Sequence, residues 1–461
     1  MDGNSALTYG PWIALAFIVV VAWLLLKKYY PHAVLLFAGM LMLSVSWLLG
    51  NDFPELNKPT GAFGIDLFKL IKDSFAGTNA GVGLMIMSIG GFVAYSDKIG
   101  ASHALVKLAM RPLRLLKNYP HLTAAAVIPI GQILFITIPS AAGLGLLLMA
   151  SVFPILVNLG VSRLSAVSVI TACTAFGIGP ASAITASASE IVEQPVINYF
   201  ISDQLPLVVP LMLLTTVSYY FVNRYFDKKA AGKTVNAPVV EKENEPEVDV
   251  PRIYAIIPVL PLILLIVFSE FFHLLGNSSL DTTTAMFMSL FVAIFMEAVR
   301  TRSWKTILQS LSSFWNGMGN IFKTVVTLII AADIFSQGLI SLGFIDGLVY
   351  ASQNAGLEAV GIGIVMTIMI FLASMLMGSG NAAFFAFAPL VPKIAANFGV
   401  KTSSMILPMN LAASMGRTVS PVAGVLIATA EIAKVDTLAI VKRNLIPFAL
   451  GLVVMLIYHF I

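Results

Sequence analysis

Arg417 is the most informative of the 461 residues. It falls in Asn410-Leu-Ala-Ala-Ser-Met-Gly-Arg-Thr-Val-Ser-Pro421, inside a long apolar stretch and far from either predicted membrane surface. An ionised side chain at such depth is costly unless paired, so an anionic partner is expected. Arginine in place of lysine points to a carboxylate, because its planar fork donates two parallel hydrogen bonds. Two competing readings stay open: the side chain snorkels to the interface, or it pairs with an internal acid such as Asp333. Thr418 and Ser420 stand beside the arginine and add hydroxyls to the same segment.

Two further clusters lie where polar groups have little reason to meet lipid. Ser140-Ala141-Ala142-Gly143 sits at the centre of an apolar run of about 122–161, and Gly378-Ser379-Gly380-Asn381 at the centre of 360–398. Neither is polar or long enough to be an ordinary loop, and each is read as the tip of a re-entrant hairpin, which is tolerated at depth only when buried or lining a wet cavity. Tip N–H groups carry positive partial charge that suits a carboxylate. Small residues for close helix packing are the bland alternative, evenly weighted at Ser140 and Gly143 and weaker at Gly378 to Asn381. Hydroxyl and amide oxygens at Thr171, Thr174, Ser182 and Asn410 suit a hard coupling cation such as sodium, and Asp333 suits a proton.

These groups need a membrane frame, and the composition supplies one. The sequence is 58% hydrophobic and only 11% charged, and windows such as Trp12 to Leu26, Ala33 to Leu49 and Leu445 to Tyr458 match a hydrocarbon core of about 30 Å. An all-α polytopic membrane protein follows, expected in the bacterial inner membrane. The first apolar run is a retained helix, since Lys27 and Lys28 follow it and do not precede it. Basic clusters thread the chain: Lys27 and Lys28 inside, Asn51 to Glu55 outside, Lys98 to Lys117 inside, Glu190 to Gln194 outside, Arg224 to Lys233 inside, Asn277 to Asp281 outside, and Arg300 to Lys305 and Lys434 to Arg443 inside. Lys393 and Lys401 are exceptions. The single cysteine, Cys173, leaves no disulfide or thiolate metal site. There is no P-loop, metal motif, nucleophile elbow or basic nucleic-acid stripe, so neither an enzyme nor a nucleic-acid partner is expected.

A polar segment at 227–251 reads as a cytoplasmic linker, and the chain repeats across it. Ser140, Gly160, Gly177 and Glu190 in the first half match Ser379, Gly399, Gly416 and Glu431 in the second at offsets of 239 to 241. The expected division is 1–60 and 252–300 as scaffold helices, with 61–226 and 301–461 as repeats. Each repeat holds a hairpin and a broken helix, at 163–192 interrupted around Gly177 to Pro180 and at 401–433 interrupted around Gly416 to Pro421. The threading makes the copies inverted, a recurring plan of secondary transporters with a midplane site.

The segments Gly378-Ser-Gly-Asn-Ala-Ala-Phe-Phe-Ala-Phe-Ala-Pro-Leu-Val-Pro392 and Gly416-Arg-Thr-Val-Ser-Pro-Val-Ala-Gly424 resemble the DcuC family of anaerobic four-carbon dicarboxylate carriers, as do Gly143 to Ala150 with Phe153-Pro154, and Gly338 to Ile345. That resemblance implies succinate, fumarate or malate as substrate, a scaffold dimer carrying mobile transport domains, and an elevator movement driven by cation symport or by exchange or efflux. Sodium symporters of the wider superfamily carry Ser-Asn-Thr at both tips. This chain has Ser140-Ala141-Ala142 and Ser379-Gly380-Asn381, which leaves sodium or protons as the coupling ion. A carrier of another small carboxylate or an amino acid, or an anion channel, are the other functional readings.

Overall fold

The computed structural model describes residues 4–51, 53–56, 58–116, 118–231, 250–272, 274, 279–354 and 358–460. Lys117, residues 232–249 of the expected linker, and Asn277 and Ser278 of the expected outer turn lie outside the described residues. Twelve helices precede the linker: α1 (Asn4–Leu26), α2 (Pro31–Leu48), α3 (Phe63–Thr78), α4 (Leu84–Lys98), α5 (Ala101–Ala109), α6 (Pro120–Thr137), α7 (Ala141–Ser151), α8 (Phe153–Asn158), α9 (Arg163–Ala172), α10 (Ala183–Ile191), α11 (Val196–Asn198) and α12 (Leu205–Ala231). After it come α13 (Leu260–Val267), α14 (Thr282–Thr301), α15 (Trp304–Ser310), α16 (Ser312–Ile321), α17 (Thr327–Ser341), α18 (Phe344–Asn354), α19 (Ala359–Met377), α20 (Gly380–Phe387), α21 (Val391–Asn397), α22 (Thr402–Thr418), α23 (Gly424–Ala433) and α24 (Thr437–Phe460). Among the described residues, ten helical stretches are long and apolar enough to cross a membrane.

The two runs follow one order. A π-helical turn at Asn79–Gly83 joins α3 to α4, and another at Phe322–Val326 joins α16 to α17. The resulting stretches, Phe63–Lys98 of 36 residues and, with α15 ahead of α16, Trp304–Ser341 of 38, reach roughly 54 Å or more at 1.5 Å per residue, well beyond a bilayer core. Each is followed by an amphipathic helix (α5, α18), a helix pair with a short tip (α6 and α7, α19 and α20), and a helix broken into two pieces (α9 and α10, α22 and α23). Serine builds both tips: the hydroxyl oxygens of Ser140 and Ser379 accept from the N–H groups of Gly143 and Ala382 at 3.1 and 3.2 Å and so start α7 and α20.

Packing divides the helices into two groups. In the first, α2 lies on α17 and α4 on α16, with α1, α3, α5, α13, α14 and α18 around them. Small residues set these approaches: a Cβ on Gly39 would stand 2.6 Å from the Ile334 carbonyl, and one on Gly317 2.6 Å from the Gly90 carbonyl. The second group places α22 between α19, α20 and α24, and packs α9 with α6, α23 and α24. Outward rings such as Trp12, Phe291 and Phe295 are exposed, as lipid-facing surface should be.

Three boundaries differ from the sequence reading. The chain stays helical to Ala231, so Asp227 belongs to α12 and not to a linker. Its carboxylate explains why: Oδ1 takes the Ser162 hydroxyl at 2.8 Å and pairs with Arg443 at 2.8 Å, while Oδ2 takes the Ser165 hydroxyl at 2.7 Å. Arg443, expected among cytoplasmic loop charges, is consequently a buried residue of α24. The second interruption is also shorter than expected. α22 continues through Gly416, Arg417 and Thr418, leaving only 419–423 unwound, whereas the first spans 173–182.

Candidate substrate site between two helix breaks

Seven contacts bring the tips and breaks together. Tip one meets break one where a Cβ on Gly179 would stand 2.6 Å from the Ile136 side chain, and break one meets α22 where a Cβ on Gly177 would stand 2.4 Å from the Ser414 hydroxyl. Tip two meets α22 and break two in the same manner: Gly380 lies 2.7 Å from the Ala413 carbonyl and Gly378 2.9 Å from Val422, each measured from an added Cβ. Ser374 donates its hydroxyl to the Ala413 carbonyl. Arg417 closes the ring by donating from Nη2 to the Thr174 carbonyl of break one and by lying 5.9 Å from the centre of the Phe135 ring near tip one.

The half-buried Arg417 guanidinium therefore has a backbone carbonyl and an aromatic face, but no carboxylate within ion-pair distance among the described residues, and its Nε has no hydrogen-bond partner. Asp333 is not its partner. That carboxylate sits on α17, accepts from Ser74 at 2.6 Å, and faces a separate recess of about 210 Å³ lined by Glu55, Asp73 and Gln337. It belongs to the first helix group, apart from the breaks.

The tip residues are equipped to donate. Ser140 and Ser379 spend an oxygen lone pair on their helix caps, which leaves each O–H proton for another acceptor. The first-turn N–H groups of Ala141 and Ala142 point out of a helix start, where no intrahelical acceptor exists. Asn381 is half-buried and its amide is not engaged by any described residue. Thr418 donates to the Ser414 carbonyl at 3.0 Å, and the Ser420 oxygen accepts from Val422 N–H at 3.3 Å, so both shape break two.

The expected cation ligands also carry hydrogen bonds within the protein. Thr171 donates to the Ser168 carbonyl at 2.9 Å and Thr174 to the Thr171 carbonyl at 3.1 Å; Ser182 bonds the Gly177 carbonyl at 3.3 Å. The Asn410 oxygen accepts from Gln204 at 2.6 Å. Gln204, Thr185, Asn444 and Phe135 were not singled out by sequence reasoning. Gln204 ends a π-helical turn, Tyr199–Gln204, beside an apolar run that hides it, and Asn444 follows a basic pair that reads as a loop. The 240-residue offset between these two amides was the one available signal.

Gly378 carries a local prediction. Its φ of +72° ends α19 in the left-handed region, and an added Cβ would meet Val422 backbone at 2.9 Å. Gly378→Ala should lower stability by about 1–3 kcal/mol, read as an earlier thermal midpoint in detergent. An unchanged midpoint would show that tip two does not need this turn.

A helical membrane bundle with two short-tipped helix pairs, two discontinuous helices and an arginine at their meeting point has the makeup of a transporter. The chain belongs to the DcuC family, whose profile, described as C4-dicarboxylate anaerobic carrier, matches residues 10–461. It is 34% identical over 448 residues to the probable anaerobic C4-dicarboxylate transporter DcuC of Vibrio cholerae, covering 96% of each chain. It is 32% identical over 446 residues to the anaerobic C4-dicarboxylate transporter DcuC of Escherichia coli K12, covering 96% of this chain and 95% of that one. The fold is shared with MtrF of Neisseria gonorrhoeae at a TM-score of 0.67 and 15% identity, over 96% of this chain and 98% of that one. The YdaH transporter of Alcanivorax borkumensis gives 0.62 at 14% identity, over 93% and 98%. An apolar helical bundle with bacterial relatives is a protein of the bacterial inner membrane, since the outer membrane is spanned by barrels.

Proposed function

We propose that the chain is a secondary carrier of C4-dicarboxylates such as succinate, fumarate and malate. The observation that carries this reading is the Arg417 guanidinium, held by the Thr174 carbonyl and free of any carboxylate among the described residues. One substrate carboxylate takes the arginine fork. The second lies against the donors of a hairpin tip, the hydroxyls of Ser140 and Ser379, the Asn381 amide and the first N–H groups of α7 and α20, including Ala141, Ala142 and Gly380, with Gly143 beside them capped by Ser140. A four-carbon diacid has one carboxylate for each of the two donor sets, and the names of the family relatives agree with it.

In this reading the two runs are inverted copies, and the group containing both hairpins and both broken helices moves as a transport domain against the scaffold, which pairs with a second copy. Cation symport or exchange drives the cycle, with sodium or protons as the coupling ion. Purified protein in liposomes tests this when sodium and proton gradients are imposed separately. One gradient, or a trans load of dicarboxylate, should raise initial succinate uptake at least fivefold, with saturation. Uptake blocked better by monocarboxylates or amino acids than by fumarate would move the substrate, and flux that never saturates would mean a channel.

A further inference from the structure

We infer that Gln204 and Asn444 are positioning residues: two crossed amide struts that hold both helix breaks, and through them Arg417, in one geometry. Both side chains are fully buried. Gln204 accepts from the Gly179 N–H at 3.0 Å and donates to Thr185 Oγ1 at 3.0 Å and to Asn410 Oδ1 at 2.6 Å. Asn444 donates to the Thr418 carbonyl at 2.9 Å and to Thr171 Oγ1 at 3.1 Å, and accepts from the Tyr219 hydroxyl at 3.0 Å.

These contacts are related by the repeat. Gln204 and Asn444 are 240 residues apart, Gly179 and Thr418 239, and Thr171 and Asn410 239. Gln204 therefore grips break one and, at the same time, α22 of the other copy, while Asn444 grips the last carbonyl of α22, at the edge of break two, and, at the same time, α9. Only the polarity differs, since Gln204 takes an N–H where Asn444 takes a carbonyl. An amide confined to its own helix end would merely satisfy unpaired backbone; one that reaches across copies fixes the two breaks relative to each other.

Arg417 sits between the struts. Thr418, the residue after it, is held by Asn444, and the Thr174 carbonyl that Arg417 grips belongs to the break that Gln204 holds. Loosening either strut displaces one wall of the arginine fork, so substrate affinity should fall before turnover does. This inference rests on the carrier reading above for its transport readout.

Two double-mutant cycles test it in liposomes, Thr171→Val with Asn444→Leu and Gln204→Met with Asn410→Leu, all close in volume to the native side chains. Each single change should raise the succinate KM at least tenfold with Vmax within threefold, and each double should be no worse than its stronger single. Effects that multiply, or losses confined to Vmax, would overturn the inference. Should the amide variants fail to fold, Thr171→Val, which removes one hydroxyl, decides by the same KM criterion. A second readout needs no substrate: the single cysteine, Cys173, is buried at the start of break one, and its alkylation by N-ethylmaleimide should be at least tenfold faster in Gln204→Met than in wild type. An unchanged rate would overturn the strut. If wild type moves no dicarboxylate, the carrier reading fails and the alkylation rate alone decides this one.

Discussion

Liposomes carrying Arg417→Lys should take up succinate with kcat/KM at least a hundredfold below wild type, and Arg417→Ala should show no uptake above empty vesicles. A hundredfold corresponds to about 2.7 kcal/mol, within the range for a charge-assisted pair removed from water. Lysine keeps the charge, so the loss would come from geometry. The guanidinium gives Nη2 to the Thr174 carbonyl, rests by the Phe135 ring and keeps an Nε without a partner; an ammonium cannot hold the carbonyl and present two parallel donors together. If wild type transports and Arg417→Lys transports equally well, the arginine does not bind substrate. The proposed site would then have to move to the hairpin tips alone.

Stability should depend most on the Asp227 and Arg443 pair. Arg443 donates to Ser165 and, at 3.3 Å, to Asn223, and its guanidinium lies 5.5 Å from the Phe226 ring centre, so α9, α12 and α24 are joined at one buried point. Arg443→Met leaves a carboxylate with two hydroxyl donors and the His121 ring at 3.9 Å, and Asp227→Leu leaves a buried cation with no counter-charge. Each should cost about 3–5 kcal/mol, while the double change to apolar residues should recover most of that loss. Thermal unfolding in detergent checks it. Two singles that unfold with wild type, or a double that is worse than either, would show that the pair is not the joint described.

Much of the fold was legible before any coordinates. Composition is sufficient for a membrane bundle because no soluble core hides so much apolar surface, and the tips at Ser140 and Ser379 were visible because small, helix-breaking residues interrupt apolar runs without polar loops. Both halves of the chain show a π-helical turn, a short-tipped helix pair and a discontinuous helix in the same order.

Other features were not legible, for identifiable reasons. Helix ends depend on which tertiary partner meets the last carbonyls, so the sequence placed Arg417 in an interruption when Asn444 and Ser414 let α22 continue past it. Asp227 and Arg443 looked like loop charges because hydropathy registers a charge and not its distant counter-ion, 216 positions away in sequence. The amide partners of Thr171 and Asn410 were not legible because Asn444 and Gln204 are remote along the chain.

By itself, then, the order of residues determined a polytopic helical bundle and the two interruptions and singled out Arg417 as a charge within an apolar stretch, since each follows from local polarity. Only the assembled structure decided that Asp333 is not the arginine's partner, that Thr174 and Phe135 hold it, and that Gln204 and Asn444 tie one break to the other. Those are long-range contacts, chosen by which helices pack side by side, and no local pattern encodes them.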